Sequence, residues 1–507
     1  MLLSFNFQVI FLQYEGCTFA AVIHINKKVR KMKRNLLLAL AWVSLSGFAQ
    51  QSHFIVKGQV VDNKGKGIEN VVVNDGVNFT TTDKEGNWTF DTDTLFSKFV
   101  SISTPSGYEL PQKNGLARFY KPMREVVKAQ DNKFVLSRRK KVSDTFSYLA
   151  ISDPQVLNEE EMNRWRNETV KDMRHVTDSL RKYREVVGMT LGDLVFDNMT
   201  LYKEYEKSVQ GLGFTVFQTI GNHDFDKKYQ DLHNMRIGAP VYAEHFYNQY
   251  FGPTDYSFNI GKVHVITMKN INYVGHKKYL EAVTDAQLAW LAKDLSYVPK
   301  GTTIFLNMHA AGWNKYNNSG NFKGADDVAA LLKDYKVHFF CGHTHFFQNI
   351  VVNPSFFQHN IGAACGAWWA GDLSVCGAPN GYLVVDVNGD DVKWHFKPTK
   401  GSCNQQFFVY LPGQFRTQVG MVVANVWDYD PSCKVVYYED GVQKGDMERF
   451  ADIDDHYIYQ QNKLGKKVTP ERLTGHLFRF KPSKGTKKVT VEFTNHFGEK
   501  YSQTYQL

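Results

Sequence analysis

The alternation of apolar and polar residues divides the chain into three parts. Between residues 144 and 400, short apolar runs typical of buried strands alternate with longer amphipathic stretches typical of helices. Residues 50–138 and 404–507 show short alternating runs separated by Gly, Asn and Asp, which is the pattern of strands joined by turns. The pattern therefore predicts a layered α/β core flanked by two small β-rich domains, the first of them a β-sandwich.

The same pattern places individual elements of the core. Apolar strands are predicted at residues 146–151, 186–191, 214–220, 303–308 and 337–340. Helices are predicted at residues 159–183, 202–210 and 326–335, and a capping box at residues 284–287 opens a fourth. Beyond about residue 400 the helical signals stop, so only strands are predicted there.

Length and composition are those of an ordinary multidomain globular protein. The chain has 507 residues, of which 43% are hydrophobic and 22% charged. Its formal net charge of +9 is concentrated at the start, where residues 1–49 carry six basic side chains and one acidic one. The charge left on the remainder is too small to indicate specific nucleic-acid binding.

The N-terminal segment has the features of an export signal. Met32-Lys33-Arg34 is a basic start, an apolar run follows, and Gly47-Phe48-Ala49 is a small-x-small cleavage site. We therefore expect residues 1–49 to be a signal segment, with residues 1–31 an overextended start, and the mature protein to be periplasmic or extracellular. The apolar run is too short for a stable membrane anchor.

The cysteines do not indicate a disulfide-rich or zinc-ribbon protein. Five of the six remain after removal of residues 1–49, and none forms a Cys-x-x-Cys pair. Cys365 and Cys376 could bridge a loop in an oxidising compartment, but buried free thiols explain them equally well.

Polar side chains with metal-binding groups follow several of the predicted core strands. Six of them share this position: Asp153, Asp193, Asn222, His309, His343 and His345. Because ligands in layered α/β domains bind at the carboxyl ends of the strands, we expect these residues to meet there. Carboxylate, imidazole and amide groups without thiolates suit Mn, Fe, Zn, Co or Ni. They are too many for one catalytic ion, and two divalent ions sharing a bridging carboxylate would use them all.

These residues lie in motifs that resemble those of the calcineurin-like metallophosphoesterases. The motifs occur in the family's order over about residues 145–390, and they are Asp153-x-Gln155, Gly192-Asp193 through Asp197, Gly221-Asn222-His223-Asp224, Met308-His309 and Gly342-His343-Thr344-His345. The flanking β-rich domains resemble those of an exported bacterial three-domain subgroup. The resemblance implies a metallophosphoesterase α/β sandwich core. It also implies metal-dependent hydrolysis of a small-molecule phosphoester, a mono- or diester, by a water that two metal ions activate.

The resemblance also implies a role for each metal ligand. Asp153 and His345 would hold the first ion, and Asp193 would bridge both ions. The second ion would be held by three side chains, those of Asn222, His309 and His343.

The imidazole of His223 would contact the phosphoryl group or protonate the leaving oxygen rather than bind metal. Asp224 could orient that imidazole, although capping of the next segment explains it nearly as well. Asp197 is expected to fix the loop that follows Asp193.

One position departs from the family pattern. The first motif commonly has histidine two residues after the aspartate, where this chain has Gln155. A Gln carbonyl binds metal more weakly than imidazole, so the first ion would be labile or a harder one such as Mn or Mg. The alternative is that Gln155 only donates hydrogen bonds to the ligands.

Other residues and functions remain open at this stage. Trp313 and Trp368-Trp369 could wall a substrate cleft or pack in the core, and His338 and His359 are expected in the core. A non-catalytic exported protein that binds carbohydrate or a surface, with a decayed metal site, is the alternative function, and a nuclease is a third.

Overall fold

The computed structural model describes residues 11–14, 17–20, 52–129, 131–228, 240–313, 321–366, 371–469 and 472–507. The predicted signal segment lies outside these residues except for a hairpin of β1 (Phe11–Tyr14) and β2 (Cys17–Ala20), which belongs to a separate N-terminal unit, Met1–Ser52. Every helix within the described ranges is too short or too polar to cross a bilayer.

The first β-rich region contains two small sheets. Its strands are β3 (His53–Asp62), β4 (Val72–Asn74), β5 (Phe79–Thr81), β6 (Asn87–Asp93), β7 (Phe99–Ser103), β8 (Gln112–Lys113), β9 (Leu116–Ala117), β10 (Tyr120–Pro122) and β11 (Lys133–Leu136). One sheet has the order β10-β7-β4-β5 and the other β11-β3-β6. Apolar side chains such as Val60, Val71 and Trp88 are buried in this region, as the alternating pattern predicts. A single helical turn, Met123–Val126, interrupts the strands.

The core contains two larger sheets. Its strands are β12 (Thr145–Ile151), β13 (Glu185–Leu191), β14 (Thr215–Thr219), β15 (Tyr256–Ile260), β16 (Val263–Thr267), β17 (Ile271–Gly275), β18 (Lys278–Glu281), β19 (Thr303–Asn307), β20 (Lys336–Cys341), β21 (Gln348–Asn353), β22 (Phe356–Asn360), β23 (Gly381–Asn388) and β24 (Asp391–Pro398). The sheet orders are β24-β23-β12-β13-β14-β9-β8 and β15-β16-β19-β20-β22-β21, and β17 and β18 form a separate hairpin. Strands β8 and β9 of the N-terminal region thus extend a core sheet.

Helices fill the connections between the core strands. They are Glu159–Arg164, Lys171–Leu180, Tyr202–Gln210, Pro240–Ala243, His245–Phe251, Asp285–Leu295 and Ala325–Leu331. A π-helical stretch, Trp165–Val170, joins the first two, and a 3₁₀ turn, Met199–Leu201, precedes the third. The helical stretch that begins at Glu159 ends at Leu180, three residues before the predicted end at residue 183. The capping box of Thr284 and Gln287 is confirmed.

The two core sheets pack against each other through aromatic side chains. Tyr148 of β12 contacts Phe305 of β19 and Phe340 of β20, with ring centroids 5.1 and 5.4 Å apart. Because β12, β13 and β14 run parallel, as do β19 and β20, the carboxyl ends of these strands lie together at one edge. The layered α/β fold expected from the sequence is confirmed.

The C-terminal region forms two four-stranded sheets. Its strands are β25 (Phe407–Tyr410), β26 (Val422–Val426), β27 (Lys434–Glu439), β28 (Val442–Asp446), β29 (Glu448–Asp452), β30 (Thr474–Phe480), β31 (Lys488–Thr494) and β32 (Lys500–Gln506). The expectation of strands alone is wrong here, because the helix Asp455–Lys463 follows β29. The Asp454 carboxylate accepts a hydrogen bond from the Tyr457 N–H at 3.1 Å and so caps this helix.

Candidate metal centre

The loops that leave β12, β13 and β20 carry an unusual backbone conformation. Five of the candidate metal ligands in these loops have φ values between 46 and 67°, namely Asp153, Gln155, Asp193, His343 and His345. Non-glycine residues rarely adopt this left-handed region, and such strain is concentrated at functional sites. In this conformation the ligand atoms of Asp153, Asp193 and His345 lie within 4.8 Å of one another.

Two glycines allow these loops to approach one another. A Cβ atom at Gly342 would lie 1.8 Å from the Ser152 hydroxyl oxygen, and one at Gly221 would lie 2.2 Å from the backbone nitrogen of Asp193. Either contact is far inside the van der Waals limit. The glycines of the sequence motifs are therefore required by packing at the centre.

The first group of candidate ligands is built around Asp153, which is fully buried. Its Oδ1 lies 2.9 Å from Nε2 of His345, and its Oδ2 accepts a hydrogen bond from the backbone N–H of His343 at 3.0 Å. The Ser152 hydroxyl donates to the same Oδ2. One carboxylate oxygen thus holds the β20 loop while the other faces an imidazole.

The second group converges on Nε2 of His309. This atom lies 3.0 Å from Asn222 Oδ1, 3.1 Å from His343 Nδ1 and 3.4 Å from Asp193 Oδ1. On the other side of the ring, Nδ1 donates to the Leu191 carbonyl at 2.7 Å. That hydrogen bond fixes the tautomer in which Nε2 is available as a ligand.

Asp193 belongs to both groups. Ligand atoms of Asp193, His309 and His343 lie within 4.8 Å of one another, and so do those of Asp153, Asp193 and His345. Burial disfavours the Asp193 carboxylate, but His309 and His223 outweigh this effect and hold its pKa below the usual range. Burial lowers the pKa of His309, yet Asp193 reverses this and raises it to about 10. Such tightly paired groups can exchange their shared protons for a cation.

Gln155 is buried beside Asp193. Its Nε2 donates to Asp193 Oδ2 at 2.8 Å, whereas its Oε1 is buried without a hydrogen-bond partner. A buried carbonyl oxygen without a donor is costly, and a cation is a suitable partner for it. The donor set of the centre therefore fits divalent metal ions, with Gln155 able to contribute an oxygen.

His223 stands beside the metal-binding groups without joining them. Its backbone N–H donates to Asp193 Oδ1 at 2.8 Å, and its ring stacks on Phe196 with centroids 4.1 Å apart. Its Nδ1 lies 2.9 Å from Asp197 Oδ1, and Lys227 forms an ion pair with the same carboxylate. Asp197 is therefore the residue that orients His223.

The Asp224 carboxylate contacts loop backbone and the Tyr202 hydroxyl, so it is not the group that orients the His223 imidazole. Its carboxylate accepts hydrogen bonds from the backbone N–H groups of Gly221 at 2.9 Å and Leu194 at 3.1 Å, and from the Tyr202 hydroxyl at 3.0 Å. Asp224 is fully buried, and burial, followed by the nearby Asp193, raises its pKa to about 7. It joins the loops that follow β13 and β14.

The sequence pattern gave no indication of Glu281, the last residue of β18. Its Oε1 accepts a hydrogen bond from Nε2 of His343 at 3.0 Å. No motif surrounds Glu281, and 62 residues separate it from His343. Only the position of the β17–β18 hairpin beside the centre reveals the contact.

The remaining candidates are placed away from the metal-binding groups or outside the described residues. Trp313 packs edge-on against Phe339 and Phe356, which favours core packing, and Trp368-Trp369 lies outside the described residues. His359 is buried and His338 half-buried, and their rings stack, with Nδ1 of His338 3.0 Å from Nε2 of His359.

Cys365 and Cys376 are buried free thiols, so the bridge that they could have formed is absent.

Comparison with protein families gives three matches that follow one another along the chain. Residues 146–347 match the family model described as calcineurin-like phosphoesterase. Residues 54–139 match the N terminal of calcineurin-like phosphoesterase, and residues 358–501 match the C terminal of calcineurin-like phosphoesterase. No curated protein sequence matches the chain.

Several solved structures are similar to the chain at low sequence identity. A dimetal phosphatase from Danio rerio is 12% identical, with 50% of this chain and 96% of that chain covered and a TM-score of 0.35. A purple acid phosphatase from yellow lupin (Lupinus luteus) seeds is 11% identical, with coverage of 69% and 68% and a TM-score of 0.39. A structure of PhoD is 10% identical, with coverage of 83% and 92% and a TM-score of 0.35.

Proposed function

The chain belongs to the calcineurin-like phosphoesterase family, and from this premise we propose that it hydrolyses a small-molecule phosphoester with two divalent metal ions. Asp153, Gln155 and His345 would hold the first ion. Asn222, His309 and His343 would hold the second, and Asp193 would bridge the two.

The shared position of Asp193 is the observation that carries this proposal. Asp193 supplies a ligand atom to each of the two groups, and the members of each group are close enough to hold an ion. A bound pair of divalent ions clamps a phosphoryl group and lowers the pKa of water at the site. The buried carboxylates keep their negative charge in the site, since neighbouring imidazoles lower the pKa of Asp153 and Asp193 despite burial.

His223 supplies the proton-transfer group. Asp197 and Lys227 occupy the Nδ1 side of its ring, and stacking on Phe196 limits rotation of the ring. The Nε2 atom is then the nitrogen that can give a proton to the leaving oxygen. An alkoxide leaving group needs this proton more than an aryl oxide does, because its conjugate acid is weaker.

The flanking regions complete the proposal. We assign residues 50–138 to an N-terminal β-sandwich, 144–400 to the phosphoesterase domain and 404–507 to a C-terminal β-rich domain. The signal segment over residues 1–49 would direct the protein to the periplasm or the extracellular space. The metal can be Mn, Fe, Zn, Co or Ni.

Aryl phosphate turnover tests the proposal. The wild type, reconstituted with each of the five metals, should hydrolyse p-nitrophenyl phosphate or bis(p-nitrophenyl) phosphate. Asp193→Ala should lose metal and activity together, whereas His223→Ala should keep the metal and lose about 10²–10⁴-fold in kcat on an alkyl phosphate, with a smaller loss on the two aryl esters. The exposed His175 provides a matched control, and His175→Ala should behave like the wild type. Absence of turnover with every metal on both esters would favour a non-catalytic binding protein.

A further inference from the structure

The β17–β18 hairpin brings an acidic side chain to the outer side of the centre. Strand β18 ends at Glu281, which pairs with Ile271 of β17. The Glu281 carbonyl accepts a hydrogen bond from the Lys323 N–H at 2.9 Å, so its backbone is held from both sides. Its side chain is 19% exposed, and that of His343 is 13% exposed. A carboxylate with so little access to water needs a specific partner.

The two imidazoles of the second group use opposite ring nitrogens. His309 presents Nε2 to the centre and donates from Nδ1 to the Leu191 carbonyl. His343 presents Nδ1 to the centre and donates from Nε2 to Glu281 at 3.0 Å. Each ring therefore has one nitrogen toward the centre and the other on an acceptor.

The acceptors of these two imidazole N–H groups differ in charge and in the part of the residue that supplies them. Leu191 contributes a neutral backbone carbonyl of β13, whereas Glu281 contributes a carboxylate from outside every sequence motif of the centre. The Tyr279 ring, also on β18, packs nearly perpendicular to the His343 ring with centroids 5.9 Å apart. His343 is thus restrained by its backbone bond to Asp153, by Glu281 and by Tyr279.

We propose that Glu281 is a positioning residue for the second metal ion, which it serves by fixing the His343 tautomer that leaves Nδ1 free to bind the ion. A carboxylate acceptor raises the basicity of the imidazole more than a neutral acceptor would. The His343 Nδ1 is then a stronger metal ligand, as in other carboxylate–histidine–metal arrangements. The role assigned to Glu281 rests on the proposed function, because it requires a second ion.

Metal binding by the full chain tests this role without reference to turnover. Mn²⁺ is titrated calorimetrically into chelator-treated wild type, Glu281→Ala and Glu281→Gln, and retained metal is counted by mass spectrometry after dialysis. Glu281→Ala should weaken one of two sites by about 10–100-fold and leave the other unchanged. Glu281→Gln should lose less, because its side-chain carbonyl still accepts the His343 proton. The control Lys278→Ala alters an exposed residue of the same strand and should bind like the wild type.

The outcomes separate this role from the proposed function. Two wild-type sites with both affinities unchanged in Glu281→Ala would overturn the role of Glu281 alone. An equal loss at both sites would also overturn it, because positioning of His343 affects only one ion. A wild type that binds fewer than two ions would overturn the two-metal proposal, and the role of Glu281 with it.

Discussion

Gln155 offers the sharpest test of how the first ion is held, because two substitutions there suit its backbone. Gln155 has a φ of 46°, and Asn and His tolerate this left-handed region better than most residues. Gln155→His introduces the imidazole that related motifs carry at this position. Gln155→Asn keeps the amide but shortens the side chain by one methylene, which withdraws the partnerless Oε1 from the centre.

The expected magnitudes follow from the two contacts of this amide. Loss of the hydrogen bond from Nε2 to Asp193, at 2.8 Å, removes about 1.5–3 kcal/mol, since the acceptor is charged. In Gln155→Asn the first ion should therefore bind about 10–100-fold more weakly, whether the amide ligates or only orients Asp193. In Gln155→His the first site should bind Zn²⁺ or Co²⁺ more tightly than the wild type does, because imidazole is the better ligand for these ions.

Competitive metal binding separates the two roles. Wild type and variants are incubated with equimolar Mn²⁺ and Zn²⁺ and passed through a desalting column, and the metals retained are quantified by mass spectrometry. A shift toward zinc in Gln155→His places residue 155 in the coordination sphere. An unchanged ratio together with weaker binding by Gln155→Asn would refute direct coordination and leave Gln155 as a hydrogen-bond donor to Asp193.

Three further predictions concern residues around the centre and in the core. Asp197→Asn should lower kcat for an alkyl phosphate and leave KM nearly unchanged, because His223 loses its charged partner, and steady-state kinetics with an unchanged kcat on that ester would contradict this role. Asp224→Ala leaves several buried hydrogen-bond donors without an acceptor, at about 1–3 kcal/mol each. Urea denaturation should therefore show several kcal/mol of destabilisation, and a loss below about 1 kcal/mol would contradict the role of Asp224 in joining the loops after β13 and β14. Burial lowers the pKa of His338 to about 4, so the unfolded chain binds more protons between about pH 6.5 and pH 4 and stability falls as pH decreases through this window. His338→Leu should make the free energy of unfolding less dependent on pH there, and an equally steep profile in the variant would contradict this assignment.

The metal-binding groups could be predicted from sequence because each follows a strongly apolar strand. Parallel strands place their carboxyl ends at a common edge, so Asp153 and Asp193 had to be neighbours once β12 and β13 paired. The same reasoning places His309 after β19 and His343 after β20. It needs no knowledge of loop shape, which is why it succeeds for these residues.

Contacts between side chains from unrelated loops could not be predicted in this way. Asp224 follows His223 directly in the chain, whereas Asp197 lies in the loop after β13. Which of the two carboxylates reaches the His223 imidazole depends on the folded backbone. Glu281 lies in the β17–β18 hairpin, and no sequence motif marks this hairpin as part of the centre. The helix Asp455–Lys463 has few apolar residues in a helical period, so its capping by Asp454 and the burial of Tyr457 stabilise it more than propensity does.

The carboxylates of the centre hold the loops as well as offering ligand atoms, and this double use explains how strained backbone is maintained. Left-handed non-glycine residues cost about 1–3 kcal/mol each, so five of them need compensation from surrounding contacts. Asp153 accepts the His343 N–H on one oxygen and faces His345 with the other. Asp193 accepts the His223 N–H on one oxygen and the Gln155 amide on the other. Because each carboxylate joins loops from different strands, replacing either one removes a proposed metal ligand and releases a loop at once. We therefore expect loss of metal and loss of local order to occur together.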